Sequence, residues 1–472
     1  MFLPRAVIHP IRALRHALGY ADFAKLPTGI SYAGPERETT DIQFLSDLTW
    51  IDETGKRHLE HEIFDTILDI VRGARRMILL DMFLFNDLLK RDGEVPRPLS
   101  AELTSALIQQ KCKYPDMPVY FITDPCNTVY GGLRSPYFEQ LERAGISVVV
   151  TDLDKLRDSN PVYSFLWRLL VRPFGNSPGG LAANPFGGGG RISLRSFFQI
   201  GNMKANHRKT LLADRNGEWV GLVTTANPHD ASYAHRNVAV CFTGPGVLDL
   251  YETEKAVLEL CGVAAPNLDV DPEPQHAATR LQILTEGKIK EAVLGTIDST
   301  TFGDRLDMVL FYLADRDILN ALNHAATRGV HIRMVLDPNK DAFGWSKSGI
   351  PNRPVAHRLV KRGMAIRWAD VHGEQCHSKM LSVVFKNNRN VLILGSANFT
   401  RRNMDDFNLE TDVRITGPAD APALANANDM FEMIWHNRDN RLSTVDYPVY
   451  RERSLFQHWL YWFMEATGIS TF

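Results

Sequence analysis

A chain of 472 residues is long enough for two full domains, and 44% apolar with 23% charged residues is the composition of a globular protein, not a disordered one. Lys+Arg 53 against Asp+Glu 55 leaves a formal net charge of -2, which excludes the global basic field that drives nonspecific nucleic-acid binding. The cysteines (Cys112, Cys126, Cys241, Cys261 and Cys376) are scattered, odd in number and without metal-ligand spacing, which fits a reducing compartment better than a disulfide framework.

Residues 1–53 read as an amphipathic segment and lead-in, with Val7, Ile8, Ile11, Leu14 and Leu18 on one helical face and Arg5, Arg12 and Arg15 elsewhere. A first α/β domain is expected over 54–262. Apolar spacing predicts a helix over Leu59–Val71, then a strand Met77–Phe85, a helix near Leu103–Gln110, a strand Val119–Thr123, a helix Phe138–Ala144 and a strand Ile146–Thr151. This alternation implies sheets covered by helices on both faces. Residues of about 153–200 form an insertion holding the aromatic, arginine-flanked run Tyr163–Arg172 and a Gly- and Pro-rich loop from Pro173 to Gly190. The loop lacks the Gly-Lys-Ser/Thr ending of a phosphate cradle. The run reads either as a membrane- or lipid-facing element or as a helix packed on the domain. Residues 263–280, with Pro266, Pro272 and Pro274, read as a linker, and the α/β pattern restarts over 281–445. The tail 446–472 gathers Phe456, Trp459, Leu460, Trp462 and Phe463, as an interfacial anchor or a docked helix. No window holds the ~20 apolar residues of a membrane-spanning helix, so the protein is expected to be cytoplasmic and peripherally membrane-associated.

The two halves repeat each other. His207-Arg208-Lys209, with Asp214 five residues on from the lysine, returns as His377-Ser378-Lys379, and the next strand ends in Ala226-Asn227 and Ala397-Asn398 respectively. Upstream, Val119–Pro125 is echoed by Ile332–Pro338, both closing on Asp-Pro. Two copies of this length make a duplicated domain and not a solenoid.

In His-x-Lys the imidazole and the ammonium project to one side of a strand, so both can converge on one anion. If the halves pack about a pseudo-twofold axis, two imidazoles, two ammonium groups and two carboxamides meet in one shared site. That set suits phosphodiester chemistry with no metal or cofactor: one imidazole attacks phosphorus and the other protonates the leaving alcohol. Lys209, Lys379, Asn227 and Asn398 would hold the nonbridging oxygens, with Thr225 and Ser396 as further hydroxyl donors. His372 and Cys376 beside His377 could suggest a metal site, but the sequence offers no second cluster to complete it.

With these motifs the chain resembles the phospholipase D superfamily, whose signature is His-x-Lys-x4-Asp followed by Gly-Ser/Gly-x-Asn. Asn206–Lys209, Glu410–Pro418 and Phe431-x-x-x-Trp435 are most similar to cardiolipin synthases and related phosphatidyltransferases. The resemblance implies a duplicated α/β/α phospholipase D fold, two mixed-sheet domains sharing one active site, and a nucleophilic His207. Three departures stand out: Val384 replaces the second aspartate, Thr224-Thr225 replaces the glycine-rich pair, and Asn237 lies opposite Glu410. Each of these last two is expected to serve the histidine of its own half, so that Glu410 keeps His377 protonated as the general acid while Asn237 only orients His207. The expected reaction is phosphatidyl transfer or hydrolysis on glycerophospholipids at an anionic membrane surface, by a monomer carrying both half-sites. The rivals are a nuclease or phosphodiesterase of the same superfamily, and a degenerate scaffold binding anionic lipid.

Overall fold

The computed structural model describes residues 27–88, 95–265, 268, 276–342, 345–346 and 348–467. The expected amphipathic segment with Arg5, Arg12 and Arg15, and the linker prolines Pro266, Pro272 and Pro274, lie outside these residues.

Among the described residues two large mixed sheets dominate. The first runs Arg57–His61, Ile42–Ile51, Asn237–Thr243, Glu218–Thr224, Lys209–Arg215, Ile78–Met82, Val119–Thr123, Ser147–Val150. The second runs Arg37–Glu38, Arg280–Thr285, Thr411–Pro418, Arg389–Gly395, Lys379–Val384, Arg305–Leu310, His331–Leu336, Ala365–Ala369, Thr444–Asp446. From Ile42–Ile51 onward in the first sheet and from Arg280–Thr285 onward in the second, seven consecutive strands correspond in order. The strands leading into the helical crossovers pair in parallel and the His-x-Lys strands pair antiparallel to their neighbours.

The duplicated unit therefore begins earlier than the expected boundary at residue 54, because Ile42–Ile51 is a full strand paired to Asn237–Thr243. Its alternation is weak at the sequence level because both its faces carry apolar side chains: one meets the helix Glu62–Gly73, the other the centre of the molecule. The helix expected from Leu59 starts at Glu62, since Arg57–His61 pairs back on Ile42–Ile51. Its buried face, Ile63, Phe64, Ile67, Leu68, Ile70 and Val71, follows the helical period, and Glu62 and Asp65 in the first turn with Arg72 in the last complement the helix dipole.

Each sheet has an outer core beneath its own helices. Between the sheets lies a third core built from both halves, with Val238, Val240 and Phe242 packed together with Ile283, Val413 and Phe431. Two helices fill this central layer: Gly246–Leu260 reaches the strand Arg280–Thr285 of the other half, and Pro422–His436 reaches Ile42–Ile51. A shared core of this kind makes the halves one body and fixes how their strand ends face each other.

The expected tail is half integrated. Thr444–Asp446 is an edge strand, and in the helix Leu455–Thr467 Tyr461 is buried with its hydroxyl donating to the Ala314 carbonyl, 3.3 Å away. Phe456, Trp459, Trp462 and Phe463 remain exposed on the same helix.

Candidate active site

Both His-x-Lys segments enter their strands at the seam between the halves. The His207 amide donates to the Leu409 carbonyl at 2.8 Å, and the His377 amide to the Arg236 carbonyl at 2.9 Å. The return bonds, Leu409 to Ala205 and Arg236 to Gln375, complete two reciprocal bridges across the pseudo-twofold axis. Two buried carboxylates brace these lead-ins: Asp124 accepts from the Asn206 amide and Asp337 from the Cys376 amide, each at 2.8 Å. The repeated Asp-Pro pair was visible in the sequence, but its clamping of the residue before each histidine was not.

The reciprocal bridges exchange the histidines' partners. His207 Nδ1 lies 2.9 Å from Glu410 Oε2, and His377 Nδ1 lies 3.1 Å from Asn237 Oδ1. The expectation that each histidine is served by its own half is thus wrong. Glu410, just ahead of the strand Thr411–Pro418, lies beside His207, and the strand bearing Asn237 starts beside His377. A carboxylate can only accept, so His207 carries its hydrogen on Nδ1. The Asn237 amide is oriented by two further bonds, Nδ2 to the His235 carbonyl and the Thr225 hydroxyl to Oδ1 at 2.9 Å, so His377 likewise carries hydrogen on Nδ1. Both Nε2 atoms are left as the working nitrogens.

Thr225 and Ser396 are corrected in the same way. Their hydroxyls donate to Asn237 and, at 2.5 Å, to Glu410, and both accept a backbone amide, from Val238 and Thr411, so they brace the histidines' partners and do not face a phosphate. Asn403, unmarked in the sequence, also donates to Glu410.

The lysines repeat one geometry. Lys209 Nζ donates to the His207 carbonyl and Lys379 Nζ to the His377 carbonyl, each at 2.6 Å, over the rings of Phe83 and Phe311. The same rings pack against His207 and His377, with centroids 4.7 and 5.3 Å apart, and limit how the imidazoles can tilt. Asn227 Oδ1 accepts from the Leu84 amide, leaving Nδ2 to donate, and Asn398 Oδ1 is buried without a hydrogen-bond partner.

Burial dominates the electrostatics. His207 and His377 are each 7% exposed, and Lys209, Lys379 and Glu410 are 0% exposed. Burial, only partly opposed by Glu410, lowers His207 to about 4. His377 is pushed well below its ordinary value by burial and by the nearby Lys379, His235, Lys209 and His207. Burial brings Lys209 down to about 7 and depresses Lys379 strongly, with Lys209 adding to the effect on Lys379. For Glu410 burial works upward, but His207, Lys209 and the Ser396 hydroxyl outweigh it and hold the carboxyl below its usual range. Asp412 is raised to about 8 by burial. The resting site holds neutral imidazoles, and burial favours the neutral forms of both lysines. His377 does not rest protonated, contrary to the sequence-based expectation.

Asp214 is not part of the site. It sits near the far end of its strand, about 17 Å beyond Lys209 at the usual rise per residue. There it accepts from the amides of Arg75, Arg76 and Met77, and fixes the turn between a helix and the strand Ile78–Met82. In the second half Asp304 closes the matching turn, accepting from the amides of Thr301 and Lys386, so Val384 costs nothing there.

The Thr224 departure has a similar explanation. Thr224 pairs in register with Ala239, and its hydroxyl accepts the Ala226 amide at 3.0 Å; Gly395 pairs with Asp412, whose carboxylate accepts the Ala397 amide at 3.0 Å. A Cβ at Gly395 would collide with Asp412. Each half solves the same turn with one oxygen, placed on opposite members of the strand pair. His372 pairs with Asp370, and among the described residues no three His, Cys, Asp or Glu side chains gather as a metal-binding set.

The comparisons with known proteins follow this geometry. Residues 293–435 match the family model described as cardiolipin synthase, PLD-like domain. Phosphatidylserine synthase from Haemophilus influenzae Rd KW20 superposes over 96% of this chain and 96% of its own, with a TM-score of 0.54 at 10% identity. Polyphosphate kinase from Porphyromonas gingivalis aligns over 91% of this chain and 54% of its own, with a TM-score of 0.46 at 13% identity. Nuc, a phospholipase D family member from Salmonella typhimurium, aligns over 37% of this chain and 99% of its own, with a TM-score of 0.28 at 23% identity. No curated protein matches the sequence. At 10% identity the likeness to the phosphatidylserine synthase speaks for the fold alone.

Proposed function

We propose that this protein, which has the phospholipase D fold and carries a PLD-like domain of the cardiolipin synthase kind over residues 293–435, performs metal-independent phosphatidyl transfer or hydrolysis on glycerophospholipids through a phosphohistidine. The observation that carries the reading is the crossed pair: two buried His-Lys units, one histidine on a carboxylate and the other on an amide, with burial pressing both lysines toward their neutral forms. A bound phosphodiester monoanion favours the charged forms of both lysines. Its nonbridging oxygens lie between Lys209 and Lys379, with Asn227 and Asn398 as amide donors, and the charge developing on the phosphoryl group is met by groups already in place.

The unequal partners divide the labour. Glu410 makes His207 the more basic and more nucleophilic imidazole, and it compensates the positive ring formed when His207 Nε2 bonds to phosphorus. Asn237 gives His377 no such support, which leaves it the stronger acid once protonated. The bound phosphodiester offsets the two lysines that depress His377, so Nε2 takes up a proton and passes it to the leaving alkoxide as the P–O bond breaks. In the second half-reaction His377 Nε2 takes the proton from water or an alcohol, the new oxygen attacks phosphorus, and the His207 N–P bond breaks. The roles match those implied by the family resemblance, although the partners that produce them are the reverse of those expected from the sequence.

The test is to incubate the protein with phosphatidylglycerol and with phosphatidylcholine, with and without added glycerol, and to identify the products by mass spectrometry. Phosphatidic acid or a headgroup-exchanged phospholipid is the expected product. Cleavage of an oligonucleotide with neither lipid consumed would move the reading to a phosphodiesterase on nucleic acid.

A further inference from the structure

The insertion between Asn160 and Ile200 has a surface unlike the rest of the molecule. Its first helix, Pro161–Leu170, packs on the body through Ser164 and Trp167 and turns Phe165, Leu166, Leu169 and Leu170 to solvent; Leu169 and Leu170 are 61% and 60% exposed. Its second helix, Leu194–Gln199, lies beside the start of the first, with the Tyr163 hydroxyl donating to the Phe198 carbonyl, and adds exposed Phe197 and Phe198. Large side chains gathered in this number on one element exceed the scattered apolar exposure of an ordinary soluble surface.

Charge identifies the occupant. No Asp or Glu occurs between Asp158 and Asp214, although acids slightly outnumber bases in the whole chain. Of the insertion's arginines, Arg168 pairs with Asp158 at 2.7 Å and Arg172 with Asp154 at 2.9 Å, so the charge of these two is offset locally. Arg191 and Arg195 have no carboxylate partner among the described residues. They donate to the backbone carbonyls of Gly180, Leu181 and Phe174, which orient the guanidinium groups without cancelling their charge. An apolar face edged by uncompensated arginines complements the headgroups and upper acyl region of an anionic bilayer. The segment then runs through Ile200–Asn202 and Lys204 straight into His207.

We propose that the insertion is the membrane-docking element, with the exposed face of Pro161–Leu170 and Leu194–Gln199 seated in the interface of an anionic bilayer and Arg191 and Arg195 on its headgroups. This deepens the lipid reading of the site and rests on it, but docking is measured by binding, so turnover is not needed to decide it.

Flotation with vesicles of phosphatidylcholine alone and of phosphatidylcholine with phosphatidylglycerol tests the proposal on the full chain. Near-ultraviolet circular dichroism checks that each variant is folded. Wild-type protein should float with the anionic vesicles. Leu169→Gln with Leu170→Gln should weaken binding by about tenfold or more, through lost apolar burial. Arg191→Gln with Arg195→Gln should weaken it by about 25-fold on anionic vesicles only, at about fivefold per arginine. Three results would overturn the proposal: no flotation of the wild type; unchanged flotation of the Leu169/Leu170 variant; or a larger loss from Trp459→Ala with Trp462→Ala, which would assign docking to the C-terminal helix. A concentration-dependent dimer abolished by Leu169→Gln with Leu170→Gln, seen by analytical ultracentrifugation in place of vesicle binding, would make the face a contact between copies of the chain.

Discussion

Glu410→Gln separates the crossed arrangement from one in which each histidine is served by its own half. Glu410 is fully buried, 2.9 Å from His207 Nδ1, and its carboxylate also takes the Ser396 hydroxyl and the Asn403 amide. Glutamine keeps the shape and removes the charge. With charge centres about 5 Å apart and an effective dielectric near 20, the lost attraction for a positive His207 ring is about 3 kcal/mol, or about 10²-fold in the rate of phosphohistidine formation. Because the lost charge acts on the attacking nitrogen, the defect should be of similar size for alkyl and for nitrophenyl phosphodiesters. Single-turnover acid quench with a ³²P-labelled substrate reads this directly, as slower labelling of His207 with either leaving group. Asn237→Ala, which frees the ring of His377, should instead slow alkyl substrates far more than nitrophenyl ones, since a good leaving group needs little protonation. If Glu410→Gln were rescued by the nitrophenyl leaving group, or if the label appeared on His377, the carboxylate would serve the acid and the assignment would fall.

The remaining expectations are shorter. His207→Ala and His377→Ala should each abolish turnover of phospholipid with melting temperatures close to wild type, and wild-type activity in either variant would exclude a shared site. Asp214→Asn should leave kcat nearly unchanged while lowering stability by about 1–3 kcal/mol, because three backbone amides lose a charged acceptor; a fall in kcat at constant stability in denaturant titrations would return Asp214 to the site. The pH profile of kcat/KM, which reports the free enzyme, should fall below about 4 as His207 gains a proton and fall again above about 7 as Lys209 loses one. A rise between pH 7 and 9 would contradict a protonated Lys209 as the phosphate-binding form.

The sequence by itself determined the duplication, the alternation of helices and strands between Met77 and Thr151, and the repeated motif residues His207, Lys209, His377, Lys379, Asn227 and Asn398. These are legible because side-chain period and motif spacing are local properties of a strand or helix, and because a repeated motif marks itself. The strand Ile42–Ile51 was missed because burial on both faces erases the two-residue alternation that identifies a half-exposed strand. Asp214, Thr225 and Ser396 were correctly found as repeated or motif positions, but what each hydrogen-bonds depends on which chain segment lies opposite. Asp214 meets the turn before Ile78, and Thr225 and Ser396 meet Asn237 and Glu410. The pairing of Glu410 with His207 and Asn237 with His377 was decided by tertiary structure alone. It follows from the core shared between the sheets and the reciprocal bridges Asn206 to Leu409 and Arg236 to Cys376, which bring each half's strand end against the other half's histidine. A sequence alignment of the two halves equates positions related by the pseudo-twofold axis, but contacts across that axis join residues that the alignment keeps apart.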